Sequence, residues 1–430
     1  MKAKTKFYLA LIIFSLTGQI AWTVENMYFN VFIYKMFNAT AADISTMVMA
    51  SAVAATLTTL LIGALSDKLG KRKIFISGGY ITWGISILAF TLLREDLISA
   101  AFPMAASASA IGVTLVIIMD CVMTFFGSTA NDACFNAWLT DACDPSERGK
   151  VEGINSMMPL IAILAVFGGF MGFDLDLPSS WSVIFAIIGI AVTAIGVAGI
   201  WLIDDSKIKT EGNQNYLANI VYGFRPSVVR ENKKLYLYFI GFSLFGISIQ
   251  VFMPYLIIYY SVSLGMDNYV LIMAPAIILA SAFTALWGRI YDRQSFARSV
   301  TVPLVMLGLG YISMSSWTNT PMVFIGSLLM MCGYLAGSAV FGAIIRNSIP
   351  ENRAGMFQGL RIVSQVLIPG VVGPAISAYL LRNAATIVND DGTTSFIPDS
   401  VIFEAAFAIC LALGLYLYLA FKGKKEEQNG

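Results

Sequence analysis

Gly63-Ala64-Leu65-Ser66-Asp67-Lys68-Leu69-Gly70-Lys71-Arg72 joins two long apolar runs, and Gly288-Arg289-Ile290-Tyr291-Asp292-Arg293 follows another run far downstream. Both read Gly-x-x-x-Asp-basic. A second correspondence accompanies the first. Gly149-x-x-x-Gly153 and Gly355-x-x-x-Gly359 each open a later apolar run. Two short matches at equivalent places predict a duplicated unit. A short polar turn rich in cations, set between runs of about 20 apolar residues, is what joins two membrane spans.

Composition agrees. Of 430 residues, 57% are hydrophobic and 12% charged, and the mean hydropathy is +0.75. A soluble domain carries about 25% charged residues. The apolar excess must face lipid, which makes the chain a polytopic membrane protein. Twelve candidate spans can be counted: 7–36, 44–65, 73–93, 107–137, 152–173, 181–203, 235–262, 268–287, 299–317, 321–345, 355–382 and 400–421. Lys2, Lys4 and Lys6 before an apolar run resemble the start of a signal peptide. The run continues to Phe37, however, and is read as a retained first span.

With both termini on the cytoplasmic side of a cell membrane, 23 of the 27 basic residues fall in inner segments. Lys35, Arg94 and Arg382 fall outside, and Arg361 lies within a span. That asymmetry predicts the orientation. The longest non-apolar stretch, 204–234, divides the chain into six-span halves, 1–203 and 235–430. Within it Leu217, Ile220, Val221 and Phe224 recur at helical spacing. An amphipathic helix on the inner membrane face and a linker helix packed on the bundle fit this pattern equally.

Several function classes drop out. Twenty-seven basic residues against 26 acidic ones give a net charge of +1, without the basic excess of a nucleic-acid binder. The chain has no His, which removes His-based acid–base chemistry and His-ligated metals. Cys121, Cys134, Cys143, Cys332 and Cys410 lie in or at the inner ends of apolar runs without a CxxC, and read as small core residues with no disulfide or zinc site. No phosphate-cradling loop occurs. No nucleophile–base pair or metal-spaced carboxylate set is found, so neither a catalytic residue nor a cofactor other than a coupling ion is expected. Asn38-Ala39-Thr40 matches a glycosylation acceptor in the first outer loop, a match that short loops make a weak one.

At this point the sequence resembles the major facilitator superfamily. Gly63, Asp67, Lys68, Gly70, Lys71 and Arg72 match its loop 2–3 signature, Gly-x-x-x-Asp-(Arg/Lys)-x-Gly-(Arg/Lys)-(Arg/Lys), and Asp292 stands at the second copy. The resemblance implies an all-α membrane protein of two six-helix bundles, alternating access and a monomer. It also implies that the loop carboxylate joins an inner-face charge network favouring one transport state. The same cations also serve as topology determinants. A second stretch, Asn131-Asp132-Ala133-Cys134-Phe135-Asn136-Ala137-Trp138 with Asp144-Pro145-Ser146-Glu147-Arg148, resembles the glycoside–pentoside–hexuronide:cation symporters, the melibiose permease group. Aligned on Glu147-Arg148, Asn131 takes the place of that group's sugar-binding aspartate.

Polar residues inside the spans carry the functional expectation. An ionisable side chain in lipid costs about 2.5–3.5 kcal/mol, so it marks a functional candidate. These are Glu25, Asp120, Asp132 and Arg361; Glu404 lies close to the outer interface and is set aside. Gln19, Thr23, Asn26 and Asn30 recur at helical spacing in span one, with Trp22 and Glu25 on an adjoining face. Asp120, Thr124, Ser128 and Asp132, with Asn131 alongside, do so in span four. Gln250 and Tyr255 around Pro254 in span seven, Tyr334 in span ten, and Gln358, Arg361 and Gln365 in span eleven complete the set. The resemblance places spans one, four, seven and ten around a central cavity.

Amides, carboxylates and an aromatic platform suit a hydroxyl-rich solute, and equally can serve as glue between helices. Burial in low dielectric disfavours a charged carboxylate, which can then take up H⁺ or Na⁺ with the solute. Asp120 and Glu25 are the expected coupling groups. Asp132 fits either coupling or an inner gate with Arg148 or Arg361. The expected function is cation-coupled import of a small polar solute such as a sugar or glycoside. The first alternative is a proton-coupled efflux antiporter for drugs or metabolites, since Pro369-Gly370-Val371-Val372-Gly373-Pro374 resembles the antiporter Gly-Pro signature, although span five, where that signature belongs, reads Val166-Phe167-Gly168-Gly169-Phe170; a non-transporting membrane receptor or enzyme ranks behind it.

Overall fold

In lipid, every backbone N–H and C=O must be paired within the chain, so long apolar runs fold as helices. The computed structural model, which describes residues 3–104, 107–205, 222–291, 294–350, 354–389 and 392–422, has twelve helices long and apolar enough to cross a membrane. Spans one to six are Lys4–Phe37, Ala41–Leu69, Arg72–Leu92, Ala108–Ala142, Arg148–Phe170 and Pro178–Leu202. Spans seven to twelve are Lys233–Ser263, Val270–Tyr291, Phe296–Ser316, Thr320–Ser348, Gly359–Leu381 and Val401–Phe421. Leu57, Leu61, Ile187, Ile190, Leu415 and Leu419 stand more than half exposed on the helix surfaces. Only lipid covers such side chains without cost.

The spans form two compact units, the first six in one and the last six in the other. Each unit repeats the same pairings. Spans one and five, two and four, and three and six pack together in the first. Spans seven and eleven, eight and ten, and nine and twelve do so in the second. The duplication legible in two loop motifs therefore extends to helix packing.

Spans three and six meet through glycine. A Cβ on Gly84 would stand 2.4 Å from the Thr193 amide nitrogen and 2.6 Å from the Gly189 carbonyl oxygen. Backbones approach this closely only where the side chain is absent.

The signature loop has a clear physical role. Gly70 ends span two at φ +61° and its N–H bonds to the Ser66 carbonyl, a left-handed helix stop that favours glycine. Span three starts at once. Its Lys73 N–H donates to both carboxylate oxygens of Asp205, at 3.0 and 3.1 Å, from just beyond span six. Partial burial holds the Asp205 carboxyl above its usual range, against the pull of that N–H.

Of the expected amphipathic linker helix, Leu217, Ile220 and Val221 lie outside the described residues, while Phe224 is exposed. A short helix, Pro226–Glu231, leads into span seven. One short connecting element within the all-α fold is not helical. Thr386–Val388 and Thr394–Phe396 form a two-stranded ribbon between spans eleven and twelve. Its segment Val388–Ser395 groups with the first six spans. There the Asn389 amide and the Ser395 hydroxyl donate to the Asn38 side-chain oxygen, at 3.0 and 3.1 Å. Asn38 itself ends span one at φ 50°, and Thr40 caps span two in a reciprocal pair with Asp43. The acceptor-like triplet is thus committed to two helix ends.

Candidate functional site

Spans one and four are both interrupted by wider, π-helical turns, at Val24–Tyr28 and Ser128–Phe135. Similar turns occur at Tyr259–Ser263 in span seven and Val363–Leu367 in span eleven. Such turns loosen the regular hydrogen-bond ladder and are frequent at functional sites.

In span one the turn changes the outcome of a regular spacing. Gln19, Thr23, Asn26 and Asn30 do not share one surface: Asn26 is exposed, Gln19 half-buried, and Thr23 and Asn30 buried. The amides bind their own backbone four residues back, Asn26 to the Trp22 carbonyl at 2.8 Å and Asn30 to the Asn26 carbonyl at 3.0 Å. Asn30 retains a buried side-chain oxygen with no partner among the described residues.

Two carboxylates come together where the span-one turn packs on the regular helix of span four. Glu25 is 7% exposed and Asp120 2%. Glu25 Oε1 accepts from Ser51 Oγ at 3.0 Å and from Thr124 Oγ1 at 2.8 Å, and the two hydroxyl oxygens are 2.7 Å apart. Asp120, one turn before Thr124, lies close enough for its charge to act on Glu25. Glu25 Oε2 and Asp120 Oδ1 are both buried without a hydrogen-bond partner among the described residues. Ser51, on span two, was not singled out in the sequence.

Asp132 sits half-buried further along span four and accepts from Ser128 Oγ at 3.1 Å. The Trp22 indole N–H lies near this carboxylate but meets no acceptor in hydrogen-bond geometry among the described residues. The Trp22 ring packs on Trp83 at 5.1 Å. A Cβ on Gly127 would reach Trp83 at 2.7 Å and Trp22 at 3.0 Å, so the glycine admits both indoles. Among the described residues none of the three carboxylates takes part in an ion pair. Arg148, one of the two gate partners considered for Asp132, stands exposed in the first helical turn of span five. Asn131 is buried and donates to the Tyr80 hydroxyl at 3.0 Å, which donates to the Phe14 carbonyl at 2.8 Å. It ties spans four, three and one.

In the second unit, Gln250 is half-buried at the end of a helical stretch and Tyr255 is fully buried, edge-on to Phe396 at 6.1 Å. The break at Pro254 leaves a carbonyl short of its helical partner, and the Ser377 hydroxyl supplies a donor to Val251. Tyr334 and Gln365 are half-buried. Arg361 Nε donates to Gln365 Oε1 at 3.3 Å. The Gln358 side chain lies outside the described ones.

The signature residues gather around Arg72. Its guanidinium, largely buried, pairs with Asp67 at 2.7 Å and Asp141 at 2.7 Å, and donates to Ser66 Oγ at 3.0 Å. Ser66 Oγ bonds in turn to the Gly63 carbonyl at 3.0 Å. Lys68 and Lys71 are exposed. Asp292 lies outside the described residues. Asp141 and Asp205 were not anticipated; an acid at the end of an even-numbered span is the signal that could have found them. Lys4 pairs with Glu147 at 2.6 Å.

Among the described residues no group of three His, Cys, Asp or Glu is placed to hold a metal ion. The arrangement can bind a small cation at buried carboxylates and a polar solute beside them.

Residues 8–374 match the Major Facilitator Superfamily. No curated protein sequence matches the chain. Among solved structures it is similar to a variant of the nucleoside transporter NupG, with a TM-score of 0.72, 12% identity and coverage of 96% of this chain and 99% of that one. It is also similar to a bacterial homologue of the human lysosomal transporter Spinster, in an inward-facing and occupied conformation, with a TM-score of 0.67, 16% identity and coverage of 98% and 97%. At these identities the likeness shows the fold.

Proposed function

Because the chain belongs to the Major Facilitator Superfamily, as a multi-pass membrane transporter and not an enzyme, we propose that it imports a small, hydroxyl-rich solute together with H⁺ or Na⁺. One observation carries this: Glu25 and Asp120 are buried side by side without an ion-pair partner among the described residues, in spans that also present Trp22, Asn26 and Asp132. A charge buried without a counter-charge is costly. A cation that arrives and leaves with the solute removes that cost in the loaded state. The two-sided demand makes solute and cation affinities mutually dependent.

The solute is a sugar or glycoside. Trp22 offers an aromatic face beside the Asp132 carboxylate, and Asn26 an accessible amide, the pairing that a ring bearing hydroxyls uses. A nucleoside, the class named for NupG, is itself an N-glycoside with a base that can stack on an indole. Import runs through alternating access in a cell membrane, with both termini cytoplasmic, as the distribution of basic residues supports. The protein works as a monomer, with lipid its only other partner and no nucleic acid.

A thermal-shift panel on purified protein tests the solute class. It contains monosaccharides, disaccharides, glycosides, hexuronates, nucleosides and lipophilic cations, each with NaCl or KCl and at two pH values. Stabilisation by a sugar or glycoside, deepened by low pH or by NaCl, is the expected outcome. Stabilisation by lipophilic cations alone would overturn it in favour of efflux.

A further inference from the structure

Glu25 Oε1, Ser51 Oγ and Thr124 Oγ1 form a triangle with edges of 3.0, 2.8 and 2.7 Å. Every edge is at hydrogen-bond distance. Two hydroxyls bring two protons, and an ionised carboxylate brings none. Three edges then share two protons, and one edge sets lone pair against lone pair. Ser51 also faces Asp120, which makes the shortage worse. A third proton, on Glu25 Oε1, resolves it. Glu25 donates to one hydroxyl, that hydroxyl to the other, and the second back to Glu25. Each oxygen then donates once and accepts once, and a closed ring of this kind strengthens its own members.

Sodium fits the same triangle poorly. Around a cation of calcium's size, which sodium shares, ligand oxygens lie at about 2.3–2.6 Å from the ion and so roughly 3.3–3.7 Å from each other in an octahedron. These oxygens are closer than that.

Resting on the cation-coupled reading above, we propose that the coupling ion is a proton and that Glu25 carries it, on Oε1, in a closed ring with Ser51 and Thr124. Asp120 supplies the charge that the proton answers. With Asp120 ionised, an ionised Glu25 would put two like charges together in low dielectric. The titratable groups whose charge reaches Glu25 are Asp120, Asp132 and the Cys121 thiol, all from span four. Span two contributes the Ser51 hydroxyl. Releasing the solute and the proton to the cytoplasmic side leaves Glu25 Oε1 an acceptor for two hydroxyl donors, the unloaded form.

Infrared difference spectroscopy on the full chain in lipid vesicles tests this without a known solute. The protein is compared in H₂O and D₂O across a pH series and, at fixed pH, in NaCl against KCl. A protonated-carboxyl stretch in the wild type is expected to vanish in Glu25→Gln, whose amide can still donate within the ring. In Thr124→Val it moves to higher wavenumber, because the ring opens. NaCl leaves it unchanged. Persistence of the band in Glu25→Gln, an unshifted band in Thr124→Val, or loss of the band on adding NaCl would each overturn the proposal. Should Glu25→Gln fail to fold, Thr124→Val decides alone. A protein that shows the band but moves no solute would contradict the transport reading and leave the proton assignment standing.

Discussion

Asp120→Asn reduces pH-gradient-driven accumulation of the solute on the order of 100-fold, near the top of the range that a lost coupling free energy of about 1–3 kcal/mol gives. Solute exchange down its own gradient persists. The substitution keeps size and shape but removes the charge beside Glu25. The unloaded protein then no longer sets two ionised carboxylates side by side, the cost that proton uptake with the solute relieves. Solute binding and proton binding become independent, and independent sites cannot concentrate a solute. Exchange only requires the loaded carrier to move back and forth, which needs no proton release. The measurement is uptake into proteoliposomes with and without an imposed pH gradient, beside counterflow in the same preparation. Wild-type accumulation in Asp120→Asn would remove Asp120 from the coupling group.

Gly84→Leu costs about 3 kcal/mol or more, the upper part of the range for overpacked interiors. The Cβ alone would enter the Thr193 amide and the Gly189 carbonyl. Both are backbone, which has no rotamer to yield. Spans three and six must separate. Trp83 is the neighbour of Gly84, and it holds Trp22 at 5.1 Å. Tyr80, one turn earlier, holds Asn131. The damage therefore reaches the site along span three. A thermal melt in detergent is expected to show a lowered midpoint, and the Trp emission to shift, with Gly78→Leu as a control where a Cβ meets nothing within 4 Å. Equal melts for the two variants would show that close approach at Gly84 is not required.

The twelve spans were legible because a run of about 20 apolar residues has one stable form in lipid. The duplicated unit was legible in Gly63–Arg72 and its partner loop, since Gly-x-x-x-Asp-basic follows the second apolar run of each half. The ribbon at Thr386–Phe396 was missed, although Thr386-Ile387-Val388 is β-branched and Gly392 marks the turn, with φ +80°. A three-residue strand is too short to show alternation.

The site was legible in composition and not in geometry. Counting helical spacing grouped Asn26 with Thr23 and Asn30, but Asn26 lies in a wider turn that sets its exposed amide apart from those buried neighbours. Nothing in Val24-Glu25-Asn26-Met27-Tyr28 announces that turn. Glu25 was named from its charge alone, whereas its partner Ser51 is one hydroxyl among many in span two. Asn131 was singled out by resemblance, and the structure engages its amide with Tyr80.

The most direct measurement is the pH outside lightly buffered proteoliposomes as the solute identified by the panel is added, with neither Na⁺ nor a pH gradient present. Proton-coupled import predicts that the medium turns alkaline as solute enters, and that Glu25→Gln abolishes the change. Uptake that needs Na⁺ and leaves the pH unmoved, or a medium that turns acidic, would contradict it.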